Sequence, residues 1–484
     1  MLNNITKMDK LPLEMSQISY NNLTSITLNQ LETIVGKEFI SVDKEQFEKY
    51  GRDETEDLVF FPEVVVKPQT VEQISKILKH CNEHKIPVTT RGAGTGLSGG
   101  ALPIKGGVLL SMEKFNKILN IDTRNLQATV EPGVINYIFQ EEVKKLGLFY
   151  PPDPASWGSC SLGGNIAHSS GGPKAVKYGT TRDYVLNLEV VLPNGEIIWT
   201  GANTLKYSTG YNLTHLFVGS EGTLGVVTKI VFKLIPLPKF DLLMLVPFPS
   251  AEKACEAVGE VFRDGIIPSA MEFMERDAID WSIKYAGEVN FTIKPEWEAL
   301  LLVEVDGNNM DVLYNDCEII SAIMQKHGCD EILFADTADQ KAALWKIRRK
   351  VGEAVKSNSV YKEEDTVVMR AELPKLLRGV KNIGKKYGFS SVCYGHAGDG
   401  NLHVNIIKGE LSDEVWNNAL PKGITEIFEL CKSLGGTISG EHGIGLVQQK
   451  YMPIIFPPHQ IQLMRDIKKV FDPNCILNPG KIFG

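Results

Sequence analysis

The chain has 484 residues, 43% of them hydrophobic and 23% charged, which is too long for one hydrophobic core and too apolar for a disordered chain. A net charge of −8 disfavours a nucleic-acid or anionic-membrane surface, because either would call for a basic face. No run approaches the ~20 apolar residues of a membrane-spanning helix, and the eight scattered cysteines form no CxxC pair, against both a disulfide framework and an iron–sulfur motif.

The opening MLNNITKMDKLPLEMSQ has neither an apolar core before a cleavage site nor an arginine-rich amphipathic pattern, so it does not read as a targeting segment. A reducing, cytoplasmic setting is expected, with peripheral contact at the inner membrane face only through a partner. Residues 1–60 read as a helical, polar lead-in. EVVVKP from Glu63 reads as a buried strand, and residues 69–85 carry Val71, Ile74, Ile77, Leu78 and Cys81 at helical spacing. Short strands follow in PVTTRG, GVLLSM, ATVEPG, LEVVLPNGEIIW and GVVTKIVFKLI, separated by glycine-rich loops, an α+β pattern. IPLPKF, with two prolines in six residues, marks a boundary near Leu237. Beyond it, helices expected over 250–263, 310–327 and 375–387 alternate with strands such as LLLVEVDG, the pattern of an antiparallel sheet covered by helices. The divisions expected are 1–60, 61–237, 238–456 and a C-terminal segment 457–484 that begins as a helix and ends in DPNCILNPGK.

Gly94, Gly96 and Gly99 match GxGxxG literally. A dinucleotide fold needs a helix straight after those glycines, whereas here ALPIKGGVLLSM reads as loop and strand and the amphipathic helix comes first. The alternatives are a flexible surface loop or a concave nest of backbone N–H groups for an anion. Three later segments favour the nest: the rigid turn PPDPAS at 151–156, the glycine-rich run LGGNIAHSSGG at 162–172, which can lie against a flat ring, and SEGTLGVVT at 220–228, a glycine turn entering a buried strand.

In this order the motifs resemble the flavoproteins of the vanillyl-alcohol oxidase type, and among them the FAD-linked D-2-hydroxyacid dehydrogenases: D-lactate dehydrogenase, the glycolate oxidase flavoprotein and D-2-hydroxyglutarate dehydrogenase. The resemblance runs from about Phe61 to the C-terminus. It implies a two-part FAD-binding domain of that type and a substrate or cap domain with an antiparallel sheet covered by helices. It also implies that Arg91, Gly92, Ala93, Gly94, Thr95, Gly96, Leu97 and Ser98 wrap the FAD pyrophosphate and that Pro152, Asp153 and Ser156 contact the dinucleotide. Gly163, Gly164, Asn165 and Ala167 then lie beside the isoalloxazine. Tyr178, Gly179, Glu221, Gly225, Val226 and Val227 complete the pocket, and Asn478 returns to the flavin. Some relatives attach FAD through a histidine in the pyrophosphate loop; residues 91–98 contain none, so non-covalent FAD is expected.

Three of the nine histidines fall in two glycine-bracketed motifs, HAGDGNLH from His396 to His403 and SGEHGIG at 439–445. Two neutral imidazoles and a carboxylate suit a divalent metal such as Zn, Mn or Fe, with positions left for substrate; core histidines satisfied by hydrogen bonds are the alternative. The resemblance assigns the metal to His396, His403 and Glu441, and the base to His442. Asn401 and Asp399 either orient substrate or set the turn. A metal chelated by a 2-hydroxy acid acidifies the hydroxyl, and an imidazole can take its proton while hydride passes to the flavin. In WKIRR, Arg348 matches the relatives' carboxylate clamp, the alternative being a solvated helix face. Glutarate-specific relatives add a lysine two residues before the aspartate; here Lys362 stands three before Asp365, and Gly352 replaces their threonine. D-Lactate or glycolate is therefore the expected substrate. D-2-hydroxyglutarate, or a non-catalytic electron-relay subunit, is the alternative. An electron-transfer flavoprotein, an iron–sulfur subunit or a quinone would accept the electrons.

Overall fold

Continuous apolar runs become strands buried on both faces. Val64–Val66 is fully buried, as a parallel strand covered on each side requires. It pairs in parallel with Val108–Ser111, which pairs in parallel with Val88–Arg91. The crossover is the helix Val71–Glu83, started by a reciprocal Thr70/Gln73 cap and burying Ile74, Ile77, Leu78 and Cys81 on one stripe. The computed structural model describes residues 18–287 and 293–483; the opening segment 1–17, which does not read as a targeting segment, lies outside them. Within the expected lead-in, Ile40–Ser41 pairs with the edge strand Val64–Val66 and so extends this first sheet to four strands.

A five-stranded antiparallel sheet follows, in the order Ile118–Asp122, Gln127–Val130, Val226–Lys233, Val185–Val191 and Ile197–Trp199. The end of the chain then returns to the first sheet. After the helix Pro458–Phe471, Val88 donates its N–H to the Ile476 carbonyl at 2.8 Å and accepts from the Asn478 N–H at 2.8 Å.

Residues after Phe240 build a seven-stranded antiparallel sheet. Its order is Leu333–Ala335, Phe240–Phe248, Ala299–Gly307, Ala270–Glu275, Ser390–His396, Asn401–Ile407 and Tyr361–Val367. Ala251–Arg263, Met310–Lys326, Leu373–Tyr387 and Leu420–Ser433 cover one face. Arg276–Ala286, Ala338–Arg349 and Val351–Asn358 cover the other. This is the α+β architecture expected from the sequence, and all eight cysteines are free and buried. Among the described residues no helix is long and apolar enough to cross a membrane.

Within the glycine-rich run 162–172, Leu162–His168 forms a short helix: Ser161 Oγ accepts from the Gly164 N–H at 3.3 Å, and Ser169 ends it in the left-handed region at φ 55°.

The outermost long strand of the seven-stranded sheet carries a buried acid, Glu364, which accepts from the Gln448 amide at 2.8 Å. Burial pushes its pKa up to about 7, against the weaker pull of Gln448 and Lys362. An acid raised in the folded state adds most stability below its unfolded pKa of ~4.3 and loses that contribution as pH rises through the folded value. Glu364→Gln is therefore expected to melt a few degrees above the unsubstituted protein near pH 8. The gap should close near pH 4, as read by thermal denaturation across pH.

Candidate functional site

Two sets of loops face each other across a cavity of about 1170 Å³, above the ~300–1,000 Å³ of ordinary small-molecule sites. From the first half of the chain Gly92, Ala93, Gly94, Thr95, Gly96, Leu97, Ser156, Gly163, Gly164, Asn165, Ala167, Glu221, Gly225, Val226 and Val227 line it. From the second half come Arg348, His396, His403, Glu441 and His442.

The glycine loop leaves the strand Val88–Arg91 and folds over the Arg91 side chain. Gly94 sits at φ 75°, and any Cβ there would collide with the guanidinium. Gly163 is equally constrained, since a Cβ would stand 2.6 Å from Pro132. Among the described residues the N–H groups of Gly94, Thr95, Gly96 and Leu97 find no acceptor within the chain. These residues are partly exposed and line the cavity, so their unpaired N–H groups form a nest open to an anion. The cavity's volume, its glycine wall and these amides fit the diphosphate and flat ring of FAD.

Several of the expected cofactor residues stand behind that wall rather than on it. The Arg91 guanidinium reaches the carbonyls of Lys49 and Tyr50 at 3.4 and 3.5 Å. The Ser98 carbonyl accepts from the Leu446 N–H at 2.7 Å. The Pro152 carbonyl accepts from Asn136 and Gln140 at 3.0 and 2.9 Å. Asp153 accepts from the Lys174 N–H at 3.1 Å and lies 3.5 Å from Arg349. Tyr178 donates to Asp306 at 2.8 Å, and Gly179, at φ 85°, turns the chain beyond it. Asn478 donates to the carbonyls of Gly100 and Glu221 at 2.9 and 2.8 Å. His168, quoted in the glycine run but given no role there, does line the cavity.

Opposite, the hairpin of Ser390–His396 and Asn401–Ile407 places His396 and His403 on one sheet face through its two-residue period. Their Nε2 atoms lie 3.2 and 3.7 Å from Glu441 Oε1, and the potential ligand atoms of the three are all within 4.8 Å of one another. His442 stacks on His403, ring centres 5.1 Å apart. Burial works against the Glu441 carboxylate, but His396, His403 and His442 outweigh it and hold its pKa at about 2. Burial and the neighbouring His442 push His403 down to about 3. Burial also opposes the charged form of His396, yet Glu272 and Glu441 on either side raise its pKa well above the usual range. A spot where two buried carboxylates bracket one imidazole favours positive charge, and an ionised carboxylate with a neutral imidazole is the donor chemistry of a divalent metal.

Three buried carboxylates that sequence reasoning passed over hold this set in place. Glu272, fully buried, puts both oxygens 2.9 Å from His396 Nδ1, turning Nε2 toward Glu441. It also meets Arg348 at 2.6 Å, so Arg348 is a buried cavity residue and not part of a solvated face. Asp365 Oδ2 accepts from Ser439 Oγ and from the N–H groups of Gly440, Glu441 and His442 at 2.7–3.0 Å. Its Oδ1 accepts from the Asn401 amide at 2.7 Å, and the same amide reaches the Thr366 carbonyl at 3.0 Å. Bonds to an ionised group contribute about 1.5–3 kcal/mol each, so losing this acceptor would free the turn. Glu363 stands 3.3 Å from His403 Nδ1. For Glu272 the available signal was an acid inside the apolar stretch AMEFM; Asp365 and Glu363 lie in the polar strand YKEEDTV, which carries no such signal. Burial pulls His442 down, but Asp365, Glu363 and Glu441 together leave its pKa raised.

Comparison with known proteins agrees with this arrangement. Residues 62–201 match the family model described as an FAD binding domain, and residues 237–482 match that of the FAD linked oxidases, C-terminal domain. The chain is 37% identical to a D-lactate dehydrogenase of Anaerostipes hadrus, over 97% of this chain and 99% of that protein. It is 39% identical to the glycolate oxidase subunit GlcD of Bacillus subtilis, over 90% and 92%. A solved p-cresol methylhydroxylase with substrate bound superposes with a TM-score of 0.78 at 22% identity, covering 96% of this chain and 98% of that one; this likeness speaks for the fold alone. Both halves of the chain, with the cavity between them, thus place it in the family of FAD-linked oxidases.

Proposed function

We propose that the protein oxidises a small D-2-hydroxy acid, D-lactate or glycolate, to the 2-keto acid and passes the electrons to a protein or quinone acceptor. The observation that carries this reading is the convergence of Arg348, His396, His403, Glu441 and His442 on the wall facing the glycine segments. When bound, FAD supplies the two-electron acceptor, and a divalent ion held by His396, His403 and Glu441 supplies the Lewis acid that a 2-hydroxy carboxylate can chelate.

The chain's own residues do the rest. Arg348, oriented by Glu272, offers a planar guanidinium to the substrate carboxylate. Its Nε is buried without a hydrogen-bond partner among the described residues. His442 is held by its backbone on Asp365 and by stacking on His403, which leaves its ring free to take the hydroxyl proton. Asp153 and Ser156 support the dinucleotide side, the former through Arg349. The names of the two relatives agree on a 2-hydroxy acid and differ on which one.

The purified protein is expected to be yellow and to release intact FAD on acid or heat treatment, since residues 91–98 hold no histidine. Flavin that remained on the denatured chain would overturn the non-covalent assignment.

Arg348→Lys should raise KM strongly for every 2-hydroxy acid, because a point charge cannot reproduce a two-bond clamp. Steady-state assays with a dye acceptor would show this; an unchanged KM would remove Arg348 from the substrate site.

Glu441→Gln keeps the shape but loses the anionic ligand, so metal content and activity should fall together. His442→Ala should keep metal and FAD yet lose roughly 10²–10⁴ in rate. Because the His442 pKa is raised, the unsubstituted enzyme should gain activity as pH rises through it, and the variant should lack that limb. Metal analysis with a pH–rate profile decides the matter: loss of metal in both variants would make His442 a ligand.

A further inference from the structure

The strand Tyr361–Val367 contributes to the cavity in alternation. Tyr361 and Glu363 line it, and Asp365 on the same side holds the 439–442 turn. Lys362 and Glu364 point the other way, Lys362 lying 5.7 Å from the ring of Trp416, which belongs to the core on the opposite face of the sheet. A shift of one residue along a strand changes the face completely. The lysine singled out in the sequence is therefore outside the cavity, and a carboxylate occupies the position inside.

That carboxylate lies next to the reacting centre. The side chain of Glu363 is only 10% exposed and stands 3.3 Å from His403 Nδ1, and Tyr394 donates to it at 3.4 Å. Glu363, His403 and His442 form a second group whose potential ligand atoms are within 4.8 Å of one another. The other side of Tyr394 belongs to Arg348, whose guanidinium lies 5.2 Å from the Tyr394 ring centre. The pocket thus has polarity, a cation at one end and a carboxylate at the other. The remaining cations of the cavity wall are engaged elsewhere: Lys346 on the Ala286 carbonyl, Arg349 with Asp153, Lys350 with Glu353 and Lys356 with Glu54.

We propose that Glu363 restricts the enzyme to monocarboxylic 2-hydroxy acids, an inference that rests on the 2-hydroxy-acid reading above. With its first carboxylate on Arg348, a dicarboxylic acid brings a second one toward Glu363. There it meets a like group and, among the described residues, no cation without a partner, and burying a carboxylate unpaired is strongly unfavourable. A short apolar or hydroxylated tail meets only Tyr394, Tyr361 and an acceptor for its hydroxyl.

The test is a steady-state panel on the holoenzyme with a dye acceptor, comparing D-lactate and glycolate with D-malate and D-2-hydroxyglutarate in the unsubstituted protein, Glu363→Gln and Glu363→Lys. The unsubstituted enzyme is expected to favour monocarboxylates by roughly 10²-fold in kcat/KM, Glu363→Gln to narrow the ratio about tenfold, and Glu363→Lys to reverse it. Ratios within one variant cancel any general loss of activity. Should a variant fail to fold, product inhibition of the unsubstituted enzyme gives the same answer: pyruvate should compete well and 2-oxoglutarate poorly. Equal use of D-2-hydroxyglutarate and D-lactate, equal inhibition by the two keto acids, or an unchanged ratio in Glu363→Lys overturns the assignment of Glu363 alone. No oxidation of any 2-hydroxy acid overturns the functional reading as well.

Discussion

A single turn, residues 439–445, is gripped from both halves of the molecule by buried carboxylates, and the site depends on that grip. Asp365, from the seven-stranded sheet, gathers Ser439 Oγ and three successive N–H groups onto one oxygen. Glu221, from the flavin side, takes the N–H groups of Ile444 and Gly445, both at 2.7 Å. A glycine-rich turn has little conformational preference of its own, so these bonds choose its shape. The shape in turn aims Glu441 at the two histidines of the hairpin and presents His442 beside them. Glu441 closes the circuit by accepting from the Gly171 N–H at 3.1 Å.

The same economy governs the charges. Burial alone would neutralise Glu272, Glu441 and Asp365, yet each is held below the ordinary carboxylate range by the imidazoles, the Arg348 guanidinium or the amides around it. Each group is thereby oriented as well as ionised, because the partner that favours its charge also fixes its direction. Glu272 illustrates the point: one carboxylate sets both the ring orientation of His396 and the place of Arg348. The proposed metal ligands and the proposed substrate clamp are consequently parts of one network, and a change at either should be felt at the other.

The cavity exists because its two walls are braced together. Lys174 meets Glu304, which also accepts from Trp345 at 3.0 Å, and Lys177 and Tyr178 both reach Asp306. Trp345 lies one turn before Arg348 on the helix Ala338–Arg349, so this brace runs from the flavin-side loop to the clamp. Asp153 adds a second link through Arg349. Residues such as Asp153 and Tyr178, expected at the cofactor surface, thus serve as struts between the halves, with the glycines left to form the surface itself.

Elements whose signal is local were legible in the sequence. Apolar runs marked the strands, the helical stripe in residues 69–85 marked the crossover helix, two prolines after Ile235 marked the change of pattern, and glycine-bracketed histidines grouped His396, His403, Glu441 and His442. What local signals cannot carry is which side chain faces which partner across hundreds of residues. The carboxylates Glu272, Asp365 and Glu221 meet partners 124, 77 and 224 positions away, and no local pattern of residues names those partners. Lys362 and Glu363 differ by a single place in the chain, and composition cannot choose between them. Only the pairing of Tyr361–Val367 with Asn401–Ile407 settles the face each one takes, because in a pleated strand that choice follows from register.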